Sequence, residues 1–218
     1  MPVPPKTIPY RPERPSADST ELSSRLNKSY QRRRSVRQFS TEPVPRAVIK
    51  NIVSIAGSAP SGANKQPWRF VCISDPQLKA KIREGAEHEE RLFYQQRASE
   101  RWLKDLEAIG TDANKDFLAT APWLIVVFKL NHTDDGGQVY YASESVGLAA
   151  GFLLSAIHQL GLVALTHTPS PMKFLREILD RPKHERPFLL IPVGYPAADC
   201  MVPDIQRKEL EEILVWRE

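Results

Sequence analysis

The longest apolar run in the chain, residues 146–157, is interrupted only by Ser155. It falls well short of the roughly 20 residues that span a bilayer. A helix over about 139–160, closed by Gly161, is instead the expected core helix, around which the rest of the chain must be arranged. Ala142, Ser145, Ala149, Ala150 and Gly151 give it small-residue surfaces suited to close helix contacts, which also makes it a candidate dimer contact. Gly147 and Gly151 read as helix packing rather than as a membrane dimer motif. The N-terminus lacks the charged and then apolar regions of a signal peptide, so a soluble, cytoplasmic protein with no membrane partner is expected.

The 218 residues suit one domain, or one domain with an arm. With 41% hydrophobic and 26% charged residues the composition is that of a globular protein, and disorder of the whole chain is excluded. Six of the 19 prolines fall within the first 15 residues, where missing amide donors and fixed φ exclude helix and central strand. Residues 1–30 are therefore an extended arm followed by an amphipathic lead-in over 22–30; the arm is either a free tail or a strap across a partner subunit. Cys72 and Cys200 are too few for a disulfide framework and too far apart for metal spacing, in keeping with a reducing compartment.

Val48, Ile49, Ile52, Val53 and Ala56 recur with helical periodicity, with Pro45 suited to the first turn and Gly57 to the stop. Residues 68–73 (WRFVCI) read as a strand, after which Asp75 and Pro76 start a helix continuing past Ile82. From 87 to 115 only scattered apolar residues, among them Leu92, Phe93, Trp102, Leu103 and Leu106, interrupt the charges. Such a helical segment buries a thin stripe and reads as a mobile lid. Strands are expected at 124–128, 162–166 and 188–193, a turn at 134–137, and a short helix over 173–179. Helices alternate with four strands, which indicates a layered α/β or α+β domain with no internal repeat.

The densest positive site is Arg32-Arg33-Arg34-Ser35-Val36-Arg37. Three readings fit it: a solvated basic face, a nucleic-acid surface, or a phosphate clamp. A net charge of +4 is modest for nucleic-acid binding, and no recognisable nucleic-acid module follows. A phosphate monoester carries nearly two charges, which Arg forks and a Ser hydroxyl satisfy by charge-assisted hydrogen bonds. Neither a GxGxxG nor a GxxxxGK loop is present.

Context favours the clamp. The run RRSVRxF is followed, after one amphipathic helix, by Ala59-Pro60-Ser61-Gly62-Ala63-Asn64-Lys65-Gln66-Pro67-Trp68, and this ordered pair resembles the flavin-dependent nitroreductase superfamily. Within it the chain is similar to the iodotyrosine deiodinases, closer to soluble bacterial forms than to membrane-anchored animal ones. The similarity spans about 33–213 and takes in Thr166-His167-Thr168-Pro169, Arg181-Pro182-Lys183-His184-Glu185, Pro192-Val193-Gly194-Tyr195-Pro196, Val202-Pro203-Asp204 and Arg207-Lys208. The subfamily signal lies in the lid, where Glu90, Tyr94 and Lys115 stand at the positions that bind an amino acid zwitterion. Glu90 can pair an ammonium, the Tyr94 hydroxyl can hydrogen-bond it, and Lys115 can pair a carboxylate; Glu90 and Tyr94, at i and i+4, share a helical face. Trp102 is placed either in the lining of the lid or in core packing.

The resemblance implies an α+β sandwich, a mainly antiparallel sheet flanked by helices, in an intertwined homodimer with FMN at the interface. It implies that residues 31–218 form a single FMN-binding domain. Arg33, Arg34, Ser35, Arg37, Thr166, His167, Thr168 and Arg207 would contact FMN, with Ser61 reaching it from the other protomer. The Ala63 backbone N–H would face a substrate phenolate. Thr168 is the implied catalytic residue: its hydroxyl would hydrogen-bond flavin N5 and favour one-electron steps. His167 stands where the animal enzymes carry Thr. His88, His132, His158 and His184 show no ligand spacing, so no metal is expected. The implied activity is FMN-dependent reductive dehalogenation of halotyrosines, iodotyrosine giving tyrosine and iodide. An external electron donor, an NAD(P)H-linked reductase or a reduced flavin source, would sustain it. The alternatives are a general NAD(P)H-dependent nitroreductase or flavin reductase, and a non-catalytic nucleic-acid-binding module.

Overall fold

A computed structural model describes residues 6–217, so the Met-Pro-Val-Pro-Pro start of the arm lies outside the described residues. The chain divides into two units, one ending at Arg33 and one beginning at Arg34. The division falls three residues later than the expected boundary because helix α1, Ser19–Gln31, runs on to it, and the N–H groups of Arg32 and Arg33 close its last turn on Ser29 and Tyr30. Asp18 caps the start of α1 by accepting from Thr20 N at 2.9 Å and Glu21 N at 3.2 Å, and no residue of α1 is buried.

The second unit is built on a four-stranded antiparallel sheet in the order β1-β2-β4-β3. Its strands are β1 (Trp68–Ile73), β2 (Trp123–Leu130), β3 (Val163–Ala164) and β4 (Glu185–Gly194). Successive β2 side chains serve opposite faces. Ile125 and Val127 pack with Ile49, Ile52 and Ala56 of α2 (Arg46–Gly57) and with Val146, Leu153 and Ile157 of α6 (Ala142–Gln159). Leu124, Val126 and Phe128 pack with Ile82 and Ala86 of α3 (Pro76–Leu92), Phe117 and Leu118 of the single turn α5 (Phe117–Thr120), and Leu175 of α7 (Lys173–Ile178). Helices on both faces explain why β2 reads as an unbroken apolar run instead of an alternating one.

Local signals placed several elements correctly. β1 occupies the expected six residues, and Asp75 Oδ1 accepts from Leu78 N at 2.7 Å with Pro76 in the first turn of α3. Three boundaries differ. α6 begins at Ala142 rather than near 139, because Tyr141 adopts a left-handed conformation (φ 48°) that no helix accommodates. β3 has two residues, not five: beyond Ala164 the chain meets β4 again only where His167 pairs with Leu190. β4 extends to Glu185–Gly194 through Pro187 and Pro192. The register of β2 against β4 shifts at Pro187, and Pro192 falls between the β3 contacts and the His167 bridge.

α6 is not buried all round. Ser145, Ala149, Ala150 and Leu153 face inward, whereas Gly147, Leu148, Gly151 and Phe152 form an exposed apolar stripe. No helix among the described residues is long and apolar enough to cross a membrane.

Candidate active site

The site lies where three stretches of the second unit meet: the end of α3, the segment that returns to Lys115, and residues 166–170 beside β4. α3 passes into one turn of π-helix, Phe93–Arg97, and then, after Ser99 caps it, into α4, Glu100–Glu107. Between them is a cavity of about 300 Å³, and Arg37, Glu90, Tyr94, Lys115, Thr166, His167 and Thr168 all line it. Seven of the residues expected from the sequence are thus brought together across 131 positions of chain.

The polar groups are tightly arranged. Lys115 Nζ lies 3.3 Å from Glu90 Oε2 and 3.2 Å from Thr111 Oγ1, and it also donates to the Asp112 carbonyl. The Tyr94 hydroxyl donates to the Thr111 carbonyl at 3.0 Å, leaving its oxygen free to accept. Behind the cavity, Glu87 Oε1 accepts from the Lys115 backbone N–H at 3.0 Å and from Arg83 Nε at 2.7 Å, which fixes the end of the lid to α3. Arg83 also pairs with Asp116.

Burial works against the charges here. It raises the Glu90 carboxyl above its ordinary value and lowers the Lys115 ammonium below its own, although each partially offsets the other. Tyr94 is likewise raised by burial and stays a phenol. His167 is pushed down to about 3, first by burial and then by the nearby Lys115 and Arg37 charges, and is neutral. A buried ion pair of this kind is only partly compensated by its own attraction. A ligand carrying one ammonium and one carboxylate would offer each of these charges a further opposite partner.

A second set of groups suits a phosphorylated, planar cofactor. Residues 34–37 run beside β3, Val36 N–H donating to Ala164 O at 3.1 Å, with Val36 buried and Ser35 exposed. Thr166 and Thr168 are exposed on either side of the buried His167. Arg37, Thr166 and Thr168 line the cavity and Ser35 is exposed beside β3; guanidinium and hydroxyl donors of this kind fit a phosphate monoester and polar ring edges. Arg34 donates to the Pro203 carbonyl. Arg33 belongs to the first unit, and Arg207 is exposed on the C-terminal segment.

Ser61 and Ala63 do not line this cavity. They sit in a strained loop in which Ala63, Asn64 and Gln66 all have positive φ (49°, 53° and 47°). Ser61 Oγ accepts from Gln66 N at 2.9 Å, and Gly62 N donates to Ser145 Oγ at 3.3 Å, tying the loop to α6. A Cβ on Gly62 would stand 2.8 Å from the Tyr140 carbonyl oxygen, so only glycine fits that approach. Strain held in place by surrounding contacts is characteristic of functional loops.

Trp102 is half-exposed and lines the cavity, so it is a lid residue and not part of the core; its ring stands edge-on to Phe93 at 4.9 Å. Leu106, Ile109 and Thr111 also line the cavity and were not recognised as site residues from the sequence. The available signal was the lid's sparse apolar residues, too few to serve a core. Elsewhere, Asp134, His184 and Glu185 place ligand atoms within 4.8 Å of one another. Arg69 and Arg181 already pair both carboxylates, at 2.7 to 3.1 Å, so a cation there would face two guanidinium groups.

Comparison with known proteins places this geometry. The model of the Nitroreductase family matches residues 30–195. The chain is 58% identical over 202 residues to the iodotyrosine deiodinase of Haliscomenobacter hydrossis, covering 89% of this chain and 91% of that one. It is 46% identical over 204 residues to iodotyrosine deiodinase 1 of Mus musculus, covering 90% and 70%. Among solved structures, an oxidized iodotyrosine deiodinase bound to FMN and 3-iodo-L-tyrosine superposes with a TM-score of 0.75 at 32% identity, covering 88% of this chain and 97% of that one. A putative NADH dehydrogenase/NAD(P)H nitroreductase from Parabacteroides distasonis shares the fold, with a TM-score of 0.65 at 21% identity over 89% of this chain and 98% of that one.

Proposed function

The chain belongs to the nitroreductase family, and from that premise we propose that it is an FMN-dependent halotyrosine dehalogenase, converting iodotyrosine to tyrosine and iodide. The observation that carries this reading is the meeting of Glu90, Tyr94 and Lys115 in one cavity with Arg37, Thr166 and Thr168. A halotyrosine is a zwitterion at one end and a phenol at the other. Glu90 pairs its ammonium, Tyr94 accepts a hydrogen bond from it, and Lys115 turns from Glu90 to its carboxylate. Each buried charge then gains a partner, and binding energy from the zwitterion positions the distant ring.

Arg34, Ser35, Arg37 and Arg207 would hold the FMN phosphate, and the exposed Thr166 and Thr168 would run along the flavin edge, with His167 between them turned inward. FMN, when bound and reduced, would supply the two electrons that, with one proton, convert the C–I bond to C–H and release iodide. Thr168 would present its hydroxyl to the flavin, and the Ala63 N–H, brought by a second copy of the chain, would hydrogen-bond the substrate phenolate. Phe93, Trp102 and Leu106 cover the cavity and exclude water from the ring.

The active assembly is a homodimer. The exposed Gly147, Leu148, Gly151 and Phe152 stripe of α6 supports this, as does the position of Ser61 and Ala63 outside the cavity lined by their own chain. A second copy brings that loop to the flavin. An external donor, an NAD(P)H-linked reductase or a reduced flavin source, returns the electrons after each turnover.

The test is anaerobic: FMN-loaded protein, excess dithionite and 3-iodotyrosine, with tyrosine and iodide followed against a flavin-only control. Protein-dependent formation of both is expected. Rapid NAD(P)H oxidation with nitroaromatics and no affinity for iodotyrosine would instead make the protein a general nitroreductase. Sedimentation should give an FMN-loaded dimer, and an active monomer would remove the shared site.

A further inference from the structure

His167 is held in an unusual state. Its backbone N–H and carbonyl both pair with Leu190 at 2.9 Å, which fixes the residue against β4. Its ring is turned inward, edge-on to Phe117 at 5.8 Å between centroids, and the residue is only 8% exposed. Nε2 is sealed from solvent and has no hydrogen-bond partner. Glu90 Oε1 stands 3.8 Å from it, beyond hydrogen-bonding distance. Lys115 does not serve it, because its three N–H groups already go to Glu90, Thr111 Oγ1 and the Asp112 carbonyl. A buried polar atom without a partner, on a residue that lines the cavity, requires an explanation, and a ligand atom entering between His167 and Glu90 supplies one.

We propose that His167 recognises the substrate's primary ammonium group, its Nε2 accepting one N–H while Glu90 and Tyr94 accept the other two. This deepens the amino-acid reading of the cavity and rests on it. A primary ammonium has three donors, and the cavity then offers three acceptors of different kinds: a carboxylate oxygen, a phenol oxygen whose own proton is given to Thr111, and an imidazole nitrogen. Two acceptors sharing a tetrahedral nitrogen at ordinary hydrogen-bond lengths stand about 4.6 Å apart. The observed gap between Glu90 Oε1 and His167 Nε2 needs to open by less than about 1 Å to admit it. The ring is neutral because burial and the Lys115 and Arg37 charges keep a second proton off it, so a lone pair is available, and the ligand selects the tautomer with hydrogen on Nδ1.

The experiment compares three ligands on FMN-loaded protein by quenching of flavin fluorescence: 3-iodotyrosine, 3-iodotyramine, which lacks the carboxylate, and 3-(4-hydroxy-3-iodophenyl)propanoic acid, which lacks the ammonium. His167→Phe keeps the ring volume and removes the acceptor. It should weaken 3-iodotyrosine and 3-iodotyramine about tenfold and leave the propanoic acid unchanged. His167→Gln, which restores an acceptor oxygen, should recover part of the loss. Equal losses for all three ligands, no loss for any, or a loss confined to the propanoic acid would overturn the assignment. Because His167→Phe can fail to fold, wild-type protein with ¹⁵N-labelled histidine provides a second readout. The His167 Nε2 resonance should move on adding 3-iodotyramine and stay still with the propanoic acid; the reverse pattern, or no shift with either, overturns the proposal. Wild-type protein that binds none of the three ligands removes the amino-acid reading together with this one. Wild-type binding with an indifferent His167→Phe removes this one alone.

Discussion

The strand β2 and the helix α4 are both apolar in part, yet they use those residues in opposite ways. Five consecutive residues of β2, from Leu124 to Phe128, are fully buried between helices on both faces of the sheet, whereas α4 contains no buried residue at all. Trp102 and Leu106 of α4 line a cavity instead of a core. The apolar surface of β2 is removed from water on folding, and that of the lid is removed only when something fills the cavity. Stability and ligand recognition are therefore carried by different residues, and changes in the two regions should separate cleanly.

The largest effect is expected in the core. Leu153→Ala, within the fully buried face of α6, should lower unfolding free energy by about 2–5 kcal/mol in denaturant titrations, through lost transfer energy and the cavity left behind. Next is Lys115→Ala, which leaves Glu90 buried without its partner and should weaken 3-iodotyrosine binding roughly a hundredfold with FMN affinity little changed. Equal losses of both ligands would make Lys115 a structural residue and blur the contrast. Thr168→Ala should reduce dehalogenation about tenfold while nitroaromatic reduction by the same preparation persists. An unchanged ratio of the two activities would remove Thr168 from the chemistry.

A smaller effect should appear in pH dependence. Burial raises the Glu90 carboxyl above its ordinary 4.5, so the folded cavity holds a proton there more tightly than water does. As pH falls through that raised value the carboxylate is neutralised and can no longer pair an ammonium. Affinity for 3-iodotyrosine should thus decline at a higher pH than an exposed glutamate would allow, and Glu90→Gln should abolish that limb of the titration. The smallest effect sharpens the comparison most. Trp102→Ala should change stability by less than about 1 kcal/mol, because the ring is half-exposed, yet still weaken 3-iodotyrosine binding measurably. A loss of stability comparable to that of Leu153→Ala would place the lid in the core after all.

Much of this molecule was legible residue by residue. The ends of β1, the Asp75 cap of α3, the stop at Gly161 (φ 72°) and the sparse lid all follow from local rules of periodicity, capping and turn chemistry, which act over a few neighbouring residues. Through the family resemblance they carry, the ordered pair of an arginine run and a Pro-Ser-Gly loop and the trio Glu90, Tyr94 and Lys115 imply a flavin and an amino acid. Tertiary structure decided the rest. It carried β4 through two prolines by shifting its register, cut β3 to two residues, and left one face of α6 uncovered. It also turned His167 inward between two exposed threonines and set its Nε2 beside Glu90, 77 positions earlier in the chain. A side chain's chemistry is written in its own residue, but whether that chemistry meets water, core or cavity depends on which distant segments pack against it, and no local pattern encodes that.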